Sequence, residues 1–108
     1  MRTTPELIAE LDAESTQHRF VALVVAFENS TVPIPASDEN RLKLLNDAIN
    51  VGGSPIGLIA FDQSGQELTI MTRVYPEYTG DEGEQANLCL QALSQKVGET
   101  LAAQWGIS

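Results

Sequence analysis

The side chains able to do chemistry in this chain are few. His18 is the one histidine among 108 residues, and Cys89 the one cysteine. Arg19 adjoins the histidine, while Arg73, Tyr75, Glu77 and Tyr78 sit close together further on, followed by Asp81, Glu82 and Glu84. A histidine among tyrosines and carboxylates has the parts of a general acid or base, because its ring titrates near neutral pH. His18 also falls about two turns beyond Leu11, at the end of a predicted helix, where the helix dipole alone favours a cation. That plainer reading outweighs catalysis.

The carboxylates Glu77, Asp81, Glu82 and Glu84 offer oxygens to a hard cation, with Gly80 and Gly83 allowing the chain to turn. Their spacing departs from the D-x-D-x-D-G calcium loop, and acidic residues at a helix start are ordinary capping. No metal and no cofactor is assigned. Cys89 stands inside an apolar helical stripe and reads as a packed thiol rather than a nucleophile. Gly52-Gly53 follows a helix and precedes a strand, the reverse of a phosphate loop, and no G-x-S-x-G occurs. Enzymatic activity is the weaker expectation.

Fifteen acidic against six basic residues give a net charge of -9. A field of that sign argues against direct nucleic-acid binding. No apolar run approaches the roughly 20 residues of a membrane span. The opening residues, Met1-Arg2-Thr3-Thr4-Pro5-Glu6, turn acidic where a secretory leader would be apolar. A cytoplasmic protein with no membrane contact is expected. Hydrophobic residues make up 43%, enough for one core, so residues 1–108 are read as a single domain.

These residues must be positioned by a small set of elements. Thr4 and Pro5 open a first helix with Leu7, Ile8 and Leu11 on its apolar stripe. Phe20–Phe27 is apolar on both faces, as a strand covered on both sides should be. Residues 30–36 hold two prolines two apart and are expected to be extended and poor at pairing. Ser37 caps a second helix with Leu42, Leu44, Leu45, Ala48, Ile49 and Val51 on one broad packed side. Ile56–Phe61 and Leu68–Val74 flank a polar, glycine-containing loop and form a hairpin. A last helix runs from about Asp81 to Ala102.

The pattern predicts an α+β fold in the order α-β-α-β-β-α. A βαβ unit plus the hairpin would give a three-stranded mixed sheet packed with helices. That sheet leaves the apolar 20–27 strand on an edge, which a different strand order, the 30–36 segment or a second copy must cover. A homodimer is the preferred resolution, with Val21 and Val25 on the strand and Leu88 and Trp105 on the last helix as interface candidates. The same topology gathers His18, Arg19, Arg73, Tyr75, Glu77 and Tyr78 toward one end as candidates for ligand or partner binding. The expected function is a small acidic binding or regulatory module acting through contacts with a protein partner. The alternative is a ligand sensor or enzyme using His18, Tyr75 and Tyr78.

Overall fold

The computed structural model describes residues 3–65 and 67–105, the last five of these by backbone alone. The elements are α1 (Thr4–Ser15), β1 (Phe20–Ala26), β2 (Thr31–Pro35), α2 (Arg41–Asn50), β3 (Ser54–Ser64), β4 (Glu67–Val74) and α3 (Gly80–Trp105). They build an α+β domain around one four-stranded sheet of order β2-β1-β3-β4. Every neighbouring pair is antiparallel.

The α+β class and three helices agree with the sequence. The three-stranded mixed sheet does not. The difference is β2, which pairs with β1 from Ala22↔Pro35 to Ala26↔Thr31. Once β2 carries the chain back alongside β1, α2 leaves from the opposite end, and β3 enters antiparallel to β1. The helical crossover through α2 therefore joins β2 to β3, which run parallel to each other on either side of β1, and not β1 to β3.

The prolines of β2 do not prevent this pairing because of where their nitrogens point. The amide of Ala36 donates to the Val21 carbonyl at 2.8 Å, and the Ser30 carbonyl accepts from the Phe27 amide at 2.7 Å. Backbone polar groups alternate sides along a strand, so residues 30, 32, 34 and 36 face β1. Pro33 and Pro35 face outward, where a missing N–H disturbs no ladder.

The sheet has helices on both faces. Val21, Leu23, Val25, Ile34, Leu58 and Ala60 meet Leu7 and Leu11 of α1 and Leu45 of α2. Ala22, Val24, Ile59 and Phe61 meet Ala86 and Leu90 of α3. Thus β1 is covered above and below, as its composition requires, and β2 supplies the missing flank. Val21 and Val25 are core residues inside one protomer, so they are not available as an interface.

Local details follow from side-chain chemistry. Thr3, one residue before the expected cap, accepts from the Glu6 amide at 3.3 Å and starts α1. The start of α2 shifts to Arg41 because Asp38 instead accepts from the Asn40 amide at 2.8 Å, closing a turn. Gly52 takes φ 96° after α2, a conformation that a side chain would strain. Gly57 lies beneath α3, where an added Cβ would stand 2.1 Å from the Arg73 carbonyl oxygen.

Candidate functional site

The predicted site residues separate into two groups at opposite ends of the sheet. Phe20 pairs with Phe61, so the segment just before β1 stands beside the end of β3 and the 64–67 turn. Tyr75 is bonded through its amide to the Ile56 carbonyl at 3.0 Å, near the beginning of β3. From residue 56 to residue 62 the strand advances about 20 Å. His18 and Arg19 therefore do not share a site with Tyr75, Glu77 and Tyr78. Their expected convergence depended on a parallel β1–β3 pair.

At the His18 end the structure builds a charged chain. Nδ1 of His18 lies 2.5 Å from Asp62 Oδ2. A carboxylate accepts, so Nδ1 carries the proton and donates. The Arg19 amide donates to the other oxygen of Asp62 at 3.0 Å, and the Arg19 guanidinium donates to Gln63 Oε1 at 2.9 Å. Nε2 of His18 faces Glu14 at 3.8 Å. Glu14 in turn is 2.9 Å from Arg73, which also holds Glu10 at 3.0 Å. His18 and Arg73 are thus joined through Glu14. The hydrogen bond from His18, then that from the Arg19 amide, hold the Asp62 carboxyl below its ordinary range, against a smaller opposing effect of burial.

A carboxylate orienting an imidazole is half of a nucleophilic triad. The other half is not assembled among the described residues. Nε2 is directed to a carboxylate, and the nearby Ser15 hydroxyl is spent on the Asp12 carbonyl at 2.7 Å. A recess of about 230 Å³ lies next to this chain, lined by Ser15, Arg19, Phe20, Val21, Ala36 and Ser37. What the arrangement does is fasten the end of α1 to β3 and β4.

At the other end, Tyr78 donates from its hydroxyl to the Pro55 carbonyl at 3.1 Å. Burial, opposed by a hydrogen bond from Ser54 and reinforced by Glu77 and Glu82, pushes its hydroxyl above the usual tyrosine range. The phenol stays protonated at neutral pH and serves as a clamp. Tyr75 is buried at 1% exposure. An open hollow of about 470 Å³ lies against Tyr75, Pro76, Tyr78, Gly83, Glu84 and Asn87. Among the described residues no group of histidine, cysteine or carboxylate side chains is arranged to hold a metal ion.

The surface carries a different signal. Among the described residues, four of the six exposed large apolar side chains belong to the α2–β2 layer: Val32 at 43%, Leu42 at 51%, Leu44 at 41% and Val51 at 74%. Only Leu45 of α2 is fully buried. The broad packed side expected for α2 is therefore half open. The helix covers the edge of the sheet, and a helix there buries the middle of its apolar arc and leaves the flanks wet. Leu88 is exposed at 61% on the outer side of α3, and the Trp105 side chain lies outside the described residues.

Sequence reasoning missed Asp62 as the partner of His18, because the link exists only when β1 and β3 run antiparallel. The signal for α2 was present in the width of its apolar arc. No described helix is long and apolar enough to cross a membrane. Comparison with protein-family models, with curated proteins and with solved structures gave no match.

Proposed function

We propose that this protein is a small acidic binding module that acts through protein contacts, working as a homodimer whose copies meet through α2. The observation that carries the reading is the pair of wet apolar side chains Leu44 and Val51, 41% and 74% exposed, on one flank of α2 and at its C-cap. An isolated surface leucine needs no explanation, but two such side chains along one flank of a short helix do.

Charge selects the occupant of that face. Lys43 and Asp47 are four residues apart on the outer side of α2, and neither makes an ion pair among the described residues. A second copy laid antiparallel sets each lysine beside the partner's Asp47, and the reciprocal pair forms by symmetry. Leu44 and Val51 follow the same side of the helix, at i and i+7. The face is thus self-complementary in both apolar surface and charge.

Sedimentation equilibrium of the whole chain over a wide concentration range tests the proposal. A twofold mass that dilutes to a monomer supports it. A monomer throughout, at concentrations up to about 1 mM, would remove it. A cytoplasmic location accords with this reading, since a lone cysteine gives an oxidising compartment no internal disulfide to form.

A further inference from the structure

The two edges of the sheet are built differently. On β2 the outward positions are Thr31, Pro33 and Pro35, and the two prolines offer no donor to an incoming strand. On β4 the Tyr75 amide points toward β3, so by alternation residues 67, 69, 71 and 73 also face β3. The backbone groups of Leu68, Ile70, Thr72 and Val74 point away from the sheet. None of these four has a backbone partner outside β4 among the described residues. The strand is eight residues long, contains no proline and pairs with β3 without a register shift. Neither proline nor bulge blocks pairing along this edge.

Side chains along the edge describe what fits it. Ile70 is 41% exposed on the α3 side. There α3 comes so close that a Cβ on Gly98 would stand 2.9 Å from the Ile70 Cδ1. An added strand would lay alternate residues against Leu68, Ile70 and Val74 beneath this roof. Its other residues would lie on the α1 side, beside Glu67 and near Glu10 and Glu14. Among the described residues Arg73 holds both Glu10 and Glu14, and His18 also faces Glu14. The local balance is negative, on a chain whose net charge is -9.

We infer that β4 is a strand-addition site that takes an extended segment of a partner protein, alternating apolar and basic residues. Main-chain hydrogen bonds to residues 68, 70, 72 and 74 hold the segment. Apolar side chains enter the cleft between β4 and α3, and lysine or arginine side chains meet the carboxylates on the α1 side. A second copy of this chain is the poorer occupant. It offers one cation on this row, Arg73, already held by Glu10 and Glu14, where the proposed segment offers one at every second residue. The inference rests on the reading of the chain as a protein-binding module and names the chemistry of its partner, but it uses a surface other than α2.

The test is fluorescence anisotropy of the whole chain with the labelled peptide Lys-Val-Lys-Val-Lys-Val-Lys. Binding is expected for this peptide and not for its Glu-Val counterpart. N-methylation of the valine amides, which face β4 in the proposed register, should abolish binding. N-methylation of the lysine amides, which face solvent, should leave it within about twofold. Thr72→Pro removes one outward N–H while sparing the β3 ladder, and should weaken binding about tenfold or more with an unchanged circular dichroism spectrum. If Thr72→Pro does not fold, the methylated peptides alone decide.

Equal binding of the two methylated series, or of the Glu-Val peptide, would overturn the proposal. So would a dimer that dissociates on Thr72→Pro in a chain that binds no peptide, since the edge would then belong to a second copy. Failure of peptide binding in a chain that still dimerises through α2 would sink this inference alone and leave the functional reading standing.

Discussion

Replacing Leu44 and Val51 together by aspartate tests the proposed α2 contact. These side chains are 41% and 74% exposed. Complete burial of a leucine or valine contributes roughly 1.5–3 kcal/mol. Covering the wet fraction therefore contributes about 1 kcal/mol for Leu44 and about 1.5 kcal/mol for Val51. Both copies contribute, giving about 5 kcal/mol across the twofold, or between about three and four decades in Kd. The aspartates also place like charge beside the partner's Asp47, so that figure is a lower bound. The isolated protomer should lose about 1–2 kcal/mol through the buried part of Leu44 and little through Val51, which already lies mostly in water. Sedimentation equilibrium should then show a dimer weaker by about a thousandfold or more, with only a modest drop in the thermal midpoint of the dilute monomer. A double variant that associates as strongly as the parent would refute the α2 contact. A large loss of monomer stability would show instead that the two side chains serve the protomer's own core.

Three further outcomes follow from the packing and the charged chain. In Asp62→Asn the contribution of the depressed carboxyl is lost. Because the folded pKa lies below the ordinary 3.8, that contribution is fully present above this value and disappears as pH falls through the folded value. The parent and variant melting curves should separate at pH 6 and converge in strong acid; a constant gap across that range would show that the His18–Asp62 bond is not the cause. Gly57→Ala should cost about 3 kcal/mol or more in urea denaturation, since its Cβ would meet backbone at 2.1 Å rather than a side chain that can yield. A loss below about 1 kcal/mol would mean that β3 and β4 separate easily there. Tyr78→Phe should lower stability by about 1 kcal/mol through loss of the bond to the Pro55 carbonyl, and a neutral result would place that hydroxyl in solvent.

Much of the fold was legible because local signals agreed with tertiary ones. The apolar run of β1 announced a strand buried on both faces, and Val21 through Val25 are at most 2% exposed. The 68/70/72/74 alternation of β4 survives as its α3-facing row. Prolines concealed β2. Two of them in a short extended segment argue against pairing when counted, and cease to do so once their spacing is considered. Two residues apart, both nitrogens face the same way, and an edge strand has one side that needs no donors. Missing that parity removed a strand, made β3 parallel to β1 on paper, and put His18 beside Tyr75 instead of Asp62. The candidate site was thus lost through topology, while its residue types were in view from the outset. For α2 the reverse held. Its apolar arc was seen, but the arc was assigned to the core without asking whether a helix over an edge strand has enough sheet beneath it.

The difference between the two edges bears on why so acidic a chain can expose a complete strand. Unpaired edges invite association with any extended backbone, and proteins blunt them with proline, charge or cover. Pro33 and Pro35 do this for β2 sterically, against every partner alike. For β4 the carboxylates on its α1 side, Glu67 at one end and Glu10 and Glu14 beside Arg73 at the other, do it selectively. Two copies approaching edge to edge each bring a net charge of -9, so repulsion opposes the sheet-to-sheet polymer that a neutral edge of this length would favour. A basic strand experiences the opposite force. The charge that guards the edge against the protein itself is also what attracts a cationic partner, and raising the salt should narrow the difference in both directions: peptide affinity falls while self-association rises.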